Sequence, residues 1–219
     1  MKIVPAILSE NVNDFFMKIK QAESFTDYVQ IDIMDGNFVP THSFPSEKIN
    51  SINTPLSFEI HLMVKHPSAF MSRIDDPHLK KVIFHFESDV KHLDFIKQMK
   101  IRGMDTGMAI KPETDMERFR EVAENVNTLM FLTVDPCCYG HPFKPEVIKK
   151  IEDARHIFTN KVISVDGGVS LENLSLFFKI GVDYVCIGSR IFLEGNPGEN
   201  YRMFTEKVAE LEIGDTGIT

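Results

Sequence analysis

Short apolar runs rich in β-branched residues recur along this chain about every 25 residues, with longer amphipathic stretches between them. The runs are "KIVPAIL" (2–8), "YVQIDI" (28–33), "LSFEIHL" (56–62), "KVIFHF" (81–86), "TGMAI" (106–110), "LMFLTV" (129–134), "KVISVDG" (161–167) and "YVCIGS" (184–189). Among the intervening stretches, "NDFFMKIKQAESF", "HLDFIKQMKIRG" and "LENLSLFFKIG" have a helical apolar pattern, and the last two end on glycine, a helix-stop signal. Strand–helix alternation repeated eight times predicts parallel βαβ units, and eight such units predict a closed α/β barrel, the (β/α)8 TIM barrel. At 219 residues this is a short version of an architecture that typically takes about 250. An open doubly wound sheet would favour G-x-G-x-x-G after the first strand, and "AILSENVND" has none. No Pro/Gly/Ser-rich linker interrupts the pattern, and 43% hydrophobic residues with 18 Phe can fill one large core, so one barrel domain is expected over 1–219.

Charge narrows the partners. A formal net charge of -8 disfavours nucleic acid or an anionic membrane, each of which selects a basic face, and leaves a small molecule as the expected partner. No apolar run reaches the ~18 residues of a spanning helix, and "MKIVPAILSE" lacks a signal peptide's basic region and cleavage site, which predicts a cytoplasmic protein. With three cysteines, two of them adjacent at Cys137 and Cys138, neither a disulfide framework nor a C-x-x-C metal site is indicated, and free thiols are expected. The Phe and Met content would suit a homo-oligomer such as a dimer.

In such barrels the chemistry sits at the C-terminal ends of the strands. The polar residues falling there are Gln30, Asp32, His61, His85, Glu87, Asp135, Asp166 and Ser189. Gln30 and Asp32 are two apart and share a side of their strand, with Asp35 in the loop beyond. Opposed carboxylates on the second and seventh strands, with an imidazole nearby, suit either metal binding or two-sided proton transfer. Any one strand-end aspartate could simply cap the next helix; several together are harder to explain that way. Glycine turns at "DGGVSLENL" and "IGSRIF" stand where barrels of the phosphate-binding type form an anion site, so Gly167, Gly168, Gly188 and Ser189 are candidate phosphate contacts, while Arg190 could add charge or simply face solvent.

The ordered motifs "VPAILS", "VQIDIMDGNFVP", "EIHLMV", "FLTVDP", "VDGGV" and "IGSRIF" resemble, from end to end, the ribulose-phosphate 3-epimerase family. The resemblance implies a (β/α)8 barrel that inverts carbon 3 of a ketose phosphate, such as ribulose 5-phosphate to xylulose 5-phosphate. It implies Asp32 and Asp166 as the catalytic pair, a divalent cation (Mn, Mg, Fe or Zn) held by Asp32, His61, Asp166 and Gln30, and Met34 and Met63 beside the reaction centre. His61 would touch substrate, and phosphate contacts carry over to Gly167, Gly168, Gly188, Ser189 and Gly140. Three positions depart from the family's pattern: Gln30 stands for a metal-binding histidine, Ala6 for a substrate-contacting serine, and Cys137-Cys138-Tyr139-Gly140 for a glycine-rich loop. An amide oxygen is a weaker donor than imidazole, so weaker metal binding is expected, held by Asp32, His61 and Asp166 with Gln30 at longer range or turned to orient Asp32.

The chemistry accounts for the residue types. Taking the proton from carbon 3 beside a C2 carbonyl forms an enediolate, which needs an electrophile, and inversion needs an acid on one face and a base on the other. Two alternatives remain at this level. Related barrels of the orotidine-phosphate decarboxylase and hexulose-phosphate synthase type carry D-x-K-x-x-D on one strand, and no such run occurs here, yet another reaction on a phosphorylated sugar stays open. A degenerate barrel that binds such a sugar without turnover is the other.

Overall fold

The computed structural model describes residues 1–136 and 142–215. Its strands are β1 (Lys2–Ile7), β2 (Tyr28–Met34), β3 (Ser57–Met63), β4 (Leu79–His85), β5 (Asp105–Ile110), β6 (Thr128–Leu132), β7 (Val162–Asp166) and β8 (Tyr184–Ile187). They pair in parallel in sequence order, and β8 returns to β1 to close the barrel. The helices are α1 (Val12–Ala22), α2 (Pro67–Met71), α3 (His92–Ile101), α4 (Met116–Ala123), α5 (Val147–Ile157), α6 (Leu174–Lys179), α7 (Ser189–Phe192) and α8 (Pro197–Asp215). The expected (β/α)8 barrel is therefore present, and the predicted strand runs differ from the strands by a few residues at the ends.

Local signals explain the helix limits. The Asn11 side chain accepts the Asp14 N–H and starts α1, while Gly103 and Gly181, at φ of 76° and 74°, turn the chain out of α3 and α6 in the left-handed conformation that glycine tolerates. Two departures from the predicted alternation stand out. After β2 the chain makes a 3-10 turn at Ser46–Ser51 in place of an α-helix, because Asp35 accepts the N–H groups of Asn37 and Phe38 and draws the strand end into a turn. Pro40 and Pro45 then interrupt helical hydrogen bonding. In "LENLSLFFKIG" the first three residues form turns, and the helix begins only at Leu174.

Because side chains alternate along a strand, each strand contributes to two cores. The larger lies between sheet and helices and includes Phe15, Phe58, Phe84, Phe119 and Phe131. The smaller fills the barrel itself with Val4, Ala6, Ile83, Ala109, Met130, Leu132 and Cys186. Below this apolar layer, at the N-terminal end of the strands, buried Glu59 pairs with Lys81 at 2.8 Å and accepts the Tyr28 hydroxyl at 2.9 Å. Above it lies a second polar layer, open to a cavity at the other end.

The lower layer stabilises the barrel only as a complete pair, since a buried charge left alone is costly. Lys81→Met is expected to lower stability by about 3–5 kcal/mol, and adding Glu59→Leu should recover most of that loss. Urea unfolding of the two variants against the parent chain measures both.

Candidate active site

Strand register brings the upper polar layer together. Asp32 on β2 is the Cα partner of His61 on β3, and Asp166 ends β7 beside Cys186 on β8. Gln30, one pleat below Asp32, points the same way and is completely buried. His61 Nδ1 stands 3.2 Å from Asp32 Oδ1 and 3.2 Å from Asp166 Oδ2. Gln30 Nε2 donates to the same two oxygens, at 2.7 Å and 2.8 Å. Two carboxylates from β2 and β7 thus converge on one imidazole and one amide.

Burial raises the Asp32 carboxyl above the ordinary range; the Asp166 charge adds to this, while His61 and Gln30 act against it. Burial alone would lower His61, but its bonds to Asp166 and Asp32 prevail and lift it to about 10. His85, fully buried behind His61 with the two Nε2 atoms 3.0 Å apart, is pushed down to about 4 by burial, against the pull of Glu87 and with the His61 charge adding to the drop. Burial would raise Glu87, yet its contacts with His85 and Thr114 hold it near 2. The layer therefore holds a cationic His61 between carboxylates, and behind it a neutral His85 on an ionised Glu87.

Asp32, His61 and Asp166 each direct one ligand atom into a space where these atoms lie within 4.8 Å of one another, which fits a divalent cation bound by oxygen and imidazole nitrogen. Gln30 fits the same cation by a different atom. Its Nε2 bridges the carboxylates, while Oε1 is buried without a partner. Half a turn about the last side-chain torsion would present Oε1 to a cation and withdraw the competing donor. The amide can therefore satisfy the carboxylates itself or join a cation, but not both.

The polar layer floors a cavity of about 680 Å³, within the range of small-molecule sites. Asp32, His61, Asp166, Met63, Gly167, Gly168, Gly188 and Ser189 line it, and so does Ala6. Met34 does not line this cavity; it is buried in a small apolar cluster with Val39 and Met63. Gly140 and the Cys137-Cys138-Tyr139 segment lie outside the described residues. Asp135 stands on the rim, exposed and paired with Lys144, away from the other carboxylates. Arg190 lines the cavity while bonded to Glu194 at 2.9 Å. Asp35 is a loop former, accepting three backbone N–H groups at 2.8–2.9 Å. Cys186 is a free thiol in the cavity floor.

Asn173 was not singled out by sequence reasoning. Its side chain accepts the Ser170 N–H at 2.8 Å and donates to the Gly168 carbonyl at 2.9 Å, pinning the turn after β7. The Ser-x-x-Asn spacing was the available signal, and it looks like any helix start.

The chain matches the family described as Ribulose-phosphate 3 epimerase family over residues 2–192. It is 31% identical to the cytoplasmic isoform of ribulose-phosphate 3-epimerase of Oryza sativa subsp. japonica over 208 residues, and 26% identical to the ribulose-phosphate 3-epimerase of Schizosaccharomyces pombe over 204 residues; the alignment covers 90% of both chains in each case. Among solved structures, 3-hexulose-6-phosphate synthase of Salmonella typhimurium superposes with a TM-score of 0.73 at 16% identity, over 96% of this chain and 100% of the other. Orotidine 5'-monophosphate decarboxylase of Sulfolobus solfataricus gives 0.65 at 13% identity, over 95% and 98%. These two likenesses concern the fold. No described helix is long and apolar enough to cross a membrane.

The glycine turn is needed by the backbone before any ligand is considered. Gly168 has φ of 62°, and a Cβ there would sit 3.0 Å from Val134 Cγ1 and 3.1 Å from Phe143 Cα. Gly168→Val is therefore expected to destabilise the protein itself by about 1–3 kcal/mol, seen as a lower thermal midpoint with no ligand added, so that reduced sugar-phosphate binding in such a variant is not evidence of a direct contact.

Proposed function

The chain belongs to the ribulose-phosphate 3-epimerase family, and from that premise we propose that it interconverts ribulose 5-phosphate and xylulose 5-phosphate, or a related ketose phosphate, by proton transfer at carbon 3 between Asp32 and Asp166. The observation that carries this reading is the convergence of Asp32 and Asp166, from β2 and β7, on His61 Nδ1 in the floor of the cavity. Two carboxyl groups presented from separate strands can serve opposite faces of one carbon.

The reaction needs one of the pair protonated and the other ionised. Burial and the Asp166 charge push the Asp32 carboxyl up, which favours Asp32 as the member that starts with the proton in one direction of the reaction. The ionised member takes the carbon 3 proton, the protonated member delivers its own to the opposite face, and the return reaction exchanges the roles. Charge grows on the C2 oxygen, beside the C3 hydroxyl oxygen, as the proton leaves. The His61 Nδ1–H and the Gln30 amide are donors already aimed into this space and can stabilise that charge. Asp32, His61 and Asp166, with Gln30 through Oε1, would hold a divalent cation, which when bound supplies positive charge beside the same oxygens. The turns at Gly167–Gly168 and Gly188–Ser189, on the same cavity wall, are the proposed phosphate seat.

A catalytically silent sugar-phosphate binder remains the second reading, favoured by one observation: the Gln30 amide occupies the donor position between the carboxylates. Turnover separates the two. Asp32→Asn and Asp166→Asn are each expected to lower epimerisation by at least about 10³-fold with the fold retained; near-normal rates in either would end the two-aspartate mechanism. The wild-type chain turning over none of several ketose phosphates, with divalent cation added, would favour the binder.

Cation affinity should be set by Gln30. Gln30→His is expected to tighten Mn²⁺ or Zn²⁺ binding by about 10-fold or more in calorimetric titration, because imidazole both donates more strongly than the amide and removes the bridging N–H. Unchanged affinity would show that the amide does not compete.

A further inference from the structure

Behind His61 runs a polar chain, from buried His85 to half-buried Glu87, that the acid–base chemistry above does not use. His85, at the end of β4, places Nε2 3.0 Å from His61 Nε2, with the ring planes 25° apart and the centroids 5.0 Å apart, so that the rings meet nearly edge to edge. Its other nitrogen, Nδ1, is 3.4 Å from Glu87 Oε2. Glu87 Oε1 in turn accepts the Lys111 N–H at 3.1 Å and the Thr114 hydroxyl. The Phe38 ring covers His85, with centroids 4.6 Å apart.

These contacts have one consistent direction. Two ring nitrogens 3.0 Å apart share one hydrogen, since two would clash and none would oppose lone pairs. Glu87 already receives two donors on Oε1, and a carboxylate only accepts, so its contact with His85 places a hydrogen on His85 Nδ1. The shared hydrogen belongs to the ring with more acceptors at its other nitrogen, and His61 Nδ1 faces two carboxylates where His85 Nδ1 faces one. His85 Nε2 is then bare, and His61 Nε2 is the donor to it. His61 Nδ1 is left as the nitrogen that faces Asp32 and Asp166, whether it carries a further hydrogen or lends its lone pair to a cation.

We infer that His85 and Glu87 are positioning residues: the chain Glu87–His85–His61 holds the His61 ring in the orientation and with the hydrogen placement that turn Nδ1 toward the carboxylate pair. Histidines that work at a reacting centre commonly have the far nitrogen anchored by a carboxylate or carbonyl. Here the anchor is reached through a second imidazole, with a carboxylate fixed by a backbone N–H and a threonine. Without it, a flipped or rotated His61 would offer a carbon or the wrong nitrogen to the pair. The inference rests on the epimerase reading for its effect on turnover, but the hydrogen placement stands on the contacts alone.

The experiment therefore reads both. Long-range ¹⁵N–¹H correlation of the histidine rings in the full chain, assigned with single histidine replacements, should show hydrogen on His61 Nε2 and His85 Nδ1, with His85 Nε2 bare. Kinetics with ribulose 5-phosphate should show His85→Phe losing about 10- to 100-fold in kcat with KM changed less than about threefold. His85→Gln, whose Oε1 can accept from His61 Nε2, should restore most of the loss. Hydrogen on His85 Nε2 in the wild-type chain would overturn the inference, as would a folded His85→Phe with kcat within about twofold of wild type, or a His85→Gln no better than His85→Phe. If His85→Phe does not fold, the wild-type ring hydrogens and His85→Gln decide. A wild-type chain with no turnover would end the parent reading, and the ring hydrogens would then judge the relay.

Discussion

Two buried carboxylates that approach the same atom repel one another, and the rest of this site can be understood as what makes that approach tolerable. Asp32 and Asp166 each come within 3.2 Å of His61 Nδ1, and each accepts from Gln30 Nε2. A cationic imidazole and a neutral amide together offset the repulsion and the loss of water. Neither donor could stand there without the barrel. β2 and β7 approach the same space only because β8 returns to β1 and closes the sheet, and His61 meets Asp32 because their strands pair in that register.

The interior of the barrel is correspondingly layered. An apolar belt of Val4, Ile83, Ala109 and Met130 lies between the Glu59–Lys81 pair below and the carboxylates above, except along β2 and β3, where Gln30 of the upper layer is the Cα partner of Glu59. The belt keeps two sets of charges from competing for each other's partners and gives the upper set a low-dielectric floor, where oriented donors act strongly on a developing charge. The cost is that the upper layer must be complete. Gln30 leaves its Oε1 without a partner, so the layer has an unused acceptor that half a turn of the amide would bring to where a cation would stand. That single atom is the physical form of the tension between an amide-bridged and a cation-bound site.

The cavity above this layer is asymmetric. Its walls come largely from the ends of β6, β7 and β8 and the turns that follow, which carry Asp166, Asp135, Arg190 and Glu194 as well as the glycine turns, whereas β2 and β3 supply Asp32, His61 and Met63. A phosphorylated ketose laid across it would place its anionic end on backbone and its reacting carbon over the carboxylates. Binding and chemistry would thus meet on β7, which ends on Asp166 and leads straight into the Gly167–Gly168 turn.

Much of this was legible in the linear chain. The period of apolar runs predicted the parallel barrel because strand and helix impose different repeats, and the "VQIDIMDGNFVP", "EIHLMV" and "VDGGV" motifs marked Asp32, His61 and Asp166 because several such residues ending apolar strands together are hard to explain as helix caps. The missing helix after β2 was not legible, since it turned on where the Asp35 side chain found its backbone partners. Nor was the burial of Met34 away from the cavity wall. His85 and Glu87 were visible as polar strand-end residues, but not as a relay, and Gln30 was visible as a weak ligand, but not as a bridge. Composition and spacing determine which elements form and which face each residue takes, because those depend on neighbours a few positions away. Which atoms meet across strands, which hydrogen each carries and which acceptor is left over depend on register and closure, and only the tertiary structure decides those.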